Sequence, residues 1–447
     1  MIKFRSIFAF ILFFLPFAYS LVIDIKVPVK IYEIFFVLAL FIWYMNGALK
    51  GEIKLEVDRG FRPIFYFFFW AVLVVIVSIF RFQALDSLPA WSARGSFFLN
   101  PIIELAYLLL NILLAIFIAK LIRNKQDVKW ILKILLFSSL FVCLYGLYIF
   151  LGKLLQFPVL TLPTMSDSPG TYGFVLPRVS ATFKEPNFFA GYITAIIPLT
   201  MAFFFMPKKT GLFGFISKPG LLALLAIQMI ALTFSLSTGG VLSLVFSSVF
   251  IMGLLAKKFK NIRSKLVVFV LTLLLVGTVF IQAFNLGELV NLVVVEKLFG
   301  GEISPVTHSR DERLQQSGGA IALFLKYPLF GVGLANFGLY FDQDLGIQYG
   351  FEATANNIFA ELLAETGLIG LLLFAWFFAR LFRRFYASYK KVSEEEDSFL
   401  LIGIWTAVFA ILISWNFFPS YSLSFFWVIF GLAIGYLSIL ERKTGEK

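Results

Sequence analysis

Four short stretches carry side chains that could do chemistry. Pro177-Arg178-Val179-Ser180-Ala181-Thr182-Phe183-Lys184-Glu185-Pro186-Asn187 sets an arginine, a lysine and a carboxylate directly ahead of an apolar run. Pro186 suits the first turn of a helix, where backbone N–H donors stay free, so Arg178, Lys184 and that helix start could hold an anion such as a phosphate. The plainer reading is that Arg178 and Lys184 reach toward lipid headgroups. Ser235-Leu236-Ser237-Thr238-Gly239-Gly240 joins two apolar runs with almost no loop, which permits close backbone approach or simple helix packing. Arg310 and Arg313, one helical turn apart, could clamp a diphosphate, or could pair with Asp311 and Glu312 on a solvated face. Asn356 and Asn357 can cap the helix that follows, with Glu361 and Glu365 on one of its faces. Carboxylates one and two turns inside a span are costly unless paired or wet, so their default reading is functional. Glu104 poses the same question in an earlier apolar run.

The elements that must position these groups are membrane helices. Of 447 residues 60% are hydrophobic, 18% aromatic and only 14% charged, against about a quarter charged in soluble proteins. Apolar runs of spanning length lie at 6–23, 31–49, 63–80, 99–119, 131–152, 187–206, 219–236, 239–255, 266–284, 357–379, 398–414 and 422–440. The expected architecture is an all-α integral membrane protein of about twelve transmembrane helices, with a large loop between helices 9 and 10. It divides into a five-helix region (1–152), a loop (153–186), helices 6–9 (187–284), the large loop (285–356), and helices 10–12 with a short tail (357–447).

The net charge of +12 sorts by side. With a cytoplasmic N-terminus, 27 of the 38 Lys and Arg fall in or beside inside segments, so both termini are expected in the cytoplasm. A basic pI therefore reports topology and not a nucleic-acid partner. Lys3 and Arg5 ahead of an apolar stretch outline a secretory signal, and the eleven further spans favour a retained anchor. The single cysteine, Cys143, and single histidine, His308, exclude disulfides within the chain and multi-histidine or cysteine metal sites. No metal or cofactor is expected.

The large loop holds eight acidic residues against four Lys and Arg, so its arginines stand out. Ser309 to Tyr327 reads as a surface helix, charged at its start and apolar in its second half, stopped by Pro328. Gly331-Val332-Gly333 is a turn with no dinucleotide-loop context. No internal repeat supports an inverted-repeat transporter.

Taken together, RVSATFKEPNFFAGY (178–192), SLSTGGVLSL (235–244), the arginine helix leading into YPLFGVGLANF (327–337), and NNIFAELLAETGLIGLLLF (356–374) resemble the O-antigen ligase and O-antigen polymerase superfamily of bacterial membrane glycosyltransferases. The resemblance spans roughly residues 175–380. It implies transfer of a glycan from an undecaprenyl-diphosphate-linked donor, with inversion and without nucleotide sugar or metal, at the periplasmic face of the inner membrane. By resemblance Arg178 and Asn187 match the family's arginine and asparagine before the sixth span. Arg313, 15 residues before Pro328, matches the loop arginine better than Arg310. Asn357, Glu365 and Gly367 match the asparagine, glutamate and glycine that open the tenth span.

Two positions depart from the ligase pattern. Ser237-Thr238-Gly239 stands where ligases carry serine-arginine-glycine, and Asn356 stands in place of their histidine, the proposed base. An asparagine cannot take that proton. The expected function is therefore polymerisation of lipid-linked repeat units, with Arg178 and Arg313 on the diphosphate and Lys184 and Arg310 in support. Glu365 or Glu361 is the candidate base, and His308 a less suitable stand-in. Ser237, Thr238, Gly239, Asn187 and Gly367 shape the site. The alternatives are a ligase delivering glycan to lipid A core or a protein acceptor, and a transporter of a lipid-linked or hydrophobic substrate. Expected partners are the lipid-linked glycan, an acceptor glycan or lipid A core, the bilayer, and a chain-length regulator.

Overall fold

The computed structural model describes residues 2–17, 20, 22–24, 28–51, 57–81, 99–162, 177–206, 216–259, 305–345, 354–418, 421–443 and 445. Thirteen helices and one small hairpin make up this part. They are α1 (Ile2–Phe14), β1 (Val22–Asp24), β2 (Pro28–Lys30), α2 (Ile31–Leu49), α3 (Arg62–Arg81), α4 (Leu99–Leu121), α5 (Lys125–Leu155) and α6 (Pro186–Phe205), followed by α7 (Lys218–Phe234), α8 (Thr238–Lys258), α9 (Pro305–Lys326), α10 (Phe337–Leu345), α11 (Ile358–Lys391), α12 (Glu395–Ser414) and α13 (Ser424–Lys443). Among the described residues nine helices are long and apolar enough to cross a membrane, and Arg5–Phe14 and Lys218–Phe234 are shorter apolar helices. The expected span 266–284 and most of the first half of the large loop lie outside the described residues.

The expected first span, 6–23, is corrected. Its helix stops at Phe14, 13 residues long, which at 1.5 Å per residue reaches about 20 Å and not the ~30 Å of a bilayer core. Pro16 accounts for the stop, because it has no N–H and its ring crowds the preceding turn. The chain then forms the antiparallel pair Val22↔Lys30 and Ile23↔Val29, a strand element that the apolar run does not announce.

In lipid there is little hydrophobic drive between helices, so association rests on close packing. The central helices α6, α12 and α13 are buried on nearly every face. On α13, Gly431 and Gly435 meet Ala115 and Ala119 of α4, small residues four apart on both partners. A Cβ at Gly435 would stand 2.9 Å from the Ala119 Cα. Trp415 fills the layer between α11 and α13, in edge contact with Phe378, Phe426 and Phe430.

One end of the bundle is rich in paired charge. Lys125 and Lys443 both reach Asp397 at 2.9 Å, Lys129 pairs with Glu396, and Arg5 pairs with Asp127. Arg384 of α11 holds Asp58 at 2.8 Å and grips Glu441 of α13 with two bonds, at 2.7 and 2.8 Å. Burial pushes the Asp58 carboxyl up, but the Arg384 charge, the Ser438 hydroxyl and the Gly60 N–H together hold it below its ordinary value of 3.8. Its contribution to stability is therefore complete above pH 3.8 and is lost as pH falls through the lowered value. Arg384→Ala is expected to cost about 2 kcal/mol at neutral pH. In thermal unfolding, its deficit relative to the unaltered protein should shrink as the pH is brought below that range.

Candidate functional site

The opposite end of the bundle gathers the residues singled out above. The segment before α6 lies along the α7–α8 turn, where the Val179 N–H donates to the Phe234 carbonyl at 3.0 Å. Arg178 then donates through Nε to the Ser235 carbonyl at 2.9 Å and through Nη2 to the Leu236 carbonyl at 3.3 Å. Ser237 caps α8 by accepting from the Gly240 N–H, and its hydroxyl donates to Asn187 Oδ1 at 2.9 Å. The α6 start and the α8 start are thus tied together. Thr238 Oγ1 is buried there with no partner among the described residues. Gly239 is held to hydrogen because a Cβ would overlap the Phe417 side chain.

Arg313 comes to the same place from α9, with Nη1 directed at the Phe417 carbonyl at 3.4 Å. Its helix is docked by Ser317, which donates to the Ala355 carbonyl at 3.1 Å, and by Gln316, which accepts from Asn356. Arg178 and Arg313 are close enough for each charge to feel the other. Burial, and then the Arg313 charge, lower the Arg178 guanidinium to about 10, with the exposed Glu185 acting in the opposite direction. It stays protonated at neutral pH, so two half-buried cations lie close together, held there by carbonyls.

Asn357 is the N-cap of α11, accepting from the Phe359 and Ala360 N–H groups at 2.9 and 3.1 Å. Its amide reaches Asn416 Oδ1 at 3.4 Å, and the Ile358 N–H donates to the Trp415 carbonyl. Asn356 has φ +51 and donates to Gln316, so the position where the ligase pattern has histidine serves as a dock for α9.

The two glutamates of α11 are engaged by main-chain N–H groups. Glu361 accepts from the Ala355 N–H at 2.9 Å. Glu365 accepts from the Phe337 N–H at 3.2 Å and from the Ala335 and Asn336 N–H groups, closing the start of α10. Around it, Val332 donates to the Ala364 carbonyl at 2.8 Å, Gly333 to the Glu365 carbonyl at 3.0 Å, and Leu368 to the Pro328 carbonyl at 2.9 Å. Gly367 breaks α11 at this point, with φ +69 and ψ −173, a conformation essentially confined to glycine.

Glu104 of α4 lies near both glutamates, beside Tyr421 and Ser422, and feels the charge of Lys30, which is itself paired with Glu33 at 2.8 Å. Burial, followed by the charges of Glu104, Glu365 and Glu361, pushes the Tyr421 phenol well above its ordinary value. Lys184 is half-exposed on the approach to α6. Arg310 and His308 lie in α9, and their side chains lie outside the described residues.

No motif announces the α12–α13 connection, whose described residues 415–418 and 421–423 lie near both groups. Asn416, Phe417, Tyr421 and Ser422 belong to no motif. The one available signal is a break of small and polar residues, Pro419-Ser420, between two spans.

Residues 221–375 match the O-antigen ligase family model. The matched stretch holds Ser237, Thr238, Gly239, Arg313, Asn357, Glu361, Glu365 and Gly367, while Arg178, Lys184 and Asn187 precede it. No curated protein matches the chain.

Gly367→Ala is expected to destabilise the protein by about 1–3 kcal/mol through the backbone alone, with a further cost where the new Cβ meets the Leu329 and Pro328 carbonyls. Gly318→Ala, where a Cβ meets nothing within 4 Å, serves as the control. Melting temperatures in detergent should fall for the first and hold or rise for the second.

Proposed function

We propose that this protein polymerises undecaprenyl-diphosphate-linked oligosaccharide repeat units at the periplasmic face of the bacterial inner membrane, with both termini cytoplasmic. The observation that carries the reading is the convergence of Arg178 and Arg313 at one place, each held by main-chain carbonyls. Two fixed guanidinium groups suit a diphosphate, which presents several oxygens and gains negative charge as the glycan leaves. Binding that group also removes the mutual repulsion of the two cations, so the site favours a dianion over a neutral sugar. The clustering of Lys125, Lys129, Arg384 and Lys443 at the other end of the bundle fits the orientation assigned by charge.

Asn356 supports polymerisation over ligation, because its amide is engaged with Gln316 and has no basic lone pair to offer. A ligase acting on lipid A core or a protein acceptor would share the donor and the arginines. The two are separated in a deletion strain: loss of a polymerase leaves single repeats on the acceptor, and loss of a ligase leaves polymer on the lipid carrier. A transporter reading draws no support from the charged groups, which gather toward the ends of the bundle.

Arg178→Ala and Arg313→Ala, expressed at normal levels, are each expected to lower polymer formation by about 10²–10³-fold. Full-length polymer in cells carrying either variant would overturn the reading. Lys184→Ala, which removes a half-exposed charge, should change the yield far less.

A further inference from the structure

Helix α9 and the turn after it hang on two membrane helices, and the register of those contacts fixes their depth. Ser317 donates to the Ala355 carbonyl and Gln316 accepts from Asn356, just ahead of the start of α11. Eleven residues after Ser317, the Pro328 carbonyl accepts from the Leu368 N–H at 2.9 Å, ten residues into α11. Those lengths of helix are about 16 and 15 Å, so α9 runs antiparallel to α11 and descends along it from the site end. Leu368 precedes Arg380, the first basic residue of α11, by twelve residues, or about 18 Å. Helix α3 gives the same depth independently. Phe330 stacks on Trp70 with ring centroids 5.1 Å apart, and Trp70 Nε1 donates to the Thr366 carbonyl at 2.9 Å. Trp70 lies eight residues past Arg62, about 12 Å along a 20-residue helix that spans about 30 Å. The turn at 328–330 therefore stands near the middle of a hydrocarbon core that is ~30 Å thick.

Irregular backbone at that depth is tolerated where the protein satisfies its polar groups. The break at Gly367 provides for this. In an unbroken helix the Leu368 N–H would bond to the Ala364 carbonyl. Here Leu368 donates to Pro328 instead, and the Ala364 carbonyl accepts from Val332 at 2.8 Å. Gly331 donates back to the Tyr327 carbonyl at 2.9 Å, and Gly333 to the Glu365 carbonyl at 3.0 Å, so the chain is already turning toward the site end.

The outward side of α9 matches this depth. Leu314, Ile321 and Leu325 fall on one line of the helix, and they and Leu329 are exposed, Leu325 by 72%. The opposite side, with Gln316, Ala320 and Leu323, is buried. The stripe runs on into Leu368, Ile369 and Leu372, which are exposed on α11 within its spanning length. A span of that kind presents its exposed apolar face to lipid, and the α9 stripe is continuous with it.

We infer that α9 and the turn 327–333 form a re-entrant segment in the half of the bilayer on the site side, with phospholipid acyl chains covering Ile321, Leu325 and Leu329. At its other end α9 brings Arg313 to the Phe417 carbonyl, just past the end of α12, whose 20 residues also span about 30 Å. Insertion of the segment thus sets Arg313 at headgroup level. That is where the diphosphate of a lipid carrier lies, a step that rests on the donor reading above.

The test uses the full chain in nanodiscs of phosphatidylethanolamine and phosphatidylglycerol. Single cysteines at Gln315, Ile321, Leu325 and Leu329, in a Cys143→Ala background, carry a nitroxide whose collisions with oxygen and with a water-soluble nickel chelate are measured. Because a polar chelate is excluded from hydrocarbon, the oxygen-to-nickel ratio is expected to be about tenfold or more higher at Leu325 and Leu329 than at Gln315. Nickel access at Leu325 equal to that at Gln315 overturns the inference, since the helix then lies in water. Low access to both reagents at Ile321, Leu325 and Leu329 also overturns it, since protein then covers the stripe. A ratio at Gln315 as high as at Leu325 overturns the placing of Arg313. Should a labelled variant fail to fold, the unaltered protein is photolabelled by a phospholipid with a diazirine on its acyl chain. Adducts are expected at Leu325 and Leu329 as well as at Leu372, and adducts at Leu372 alone overturn the inference. None of these readings involves the donor, so failure of the donor reading shows separately, as full-length polymer in cells carrying Arg313→Ala.

Discussion

Main-chain carbonyls and N–H groups at helix ends hold Arg178, Arg313, Glu361 and Glu365, and the arrangement of the site end depends on this. A charge near lipid must find partners inside the protein. Here the α7–α8 turn supplies two carbonyls to Arg178, and the α12–α13 connection supplies one toward Arg313. Backbone partners leave a guanidinium fully charged and fix its position without cancelling it. The turns themselves are fixed by capping: Ser237 holds the start of α8, Asn357 the start of α11, and Ser237 reaches across to Asn187 at the start of α6. A change in any of these caps moves a carbonyl and, with it, an arginine.

The carboxylates follow the complementary rule. Glu365 and Glu361 satisfy backbone donors in the chain around α10 and before α11, and they gain that role at the expense of availability. The charge pattern of the two ends then differs in kind. At one end acids and bases neutralise each other in networks such as Arg384 with Asp58 and Glu441. At the other, the arginines rest on main-chain carbonyls and the α11 glutamates on main-chain N–H groups.

Much of the bundle is legible in composition, because runs such as 187–206 and 398–414 are apolar and bounded by caps or charge, and they become α6 and α12 with ends shifted by a few residues. The surface helix 309–327 is legible for the same reason, with Pro328 as its stop, and appears as Pro305–Lys326. Pro16 is visible in the chain, yet an apolar run masks it, and only the backbone shows that the helix ends at Phe14. The break at Gly367 has no local signature, since glycine is common inside membrane helices. The two arginines were readable as rare cations beside spans. The roles of Glu361 and Glu365 are not, because they turn on which N–H groups meet each carboxylate, and for Glu365 those come from residues 335–337, in a loop on the far side of a stretch of about thirty residues.

The Gly367 break also bears on how this part of the protein can change over generations. Pro328, Leu329, Gly331, Val332 and Gly333 are hydrogen-bonded to residues 364–368 or pressed against them, and neither Gly331 nor Gly367 has room for a Cβ. The two segments are separated by more than thirty positions, yet they behave as one inherited module. Replacement of one strand of this contact demands a matched replacement of the other, so drift is confined to sites outside it.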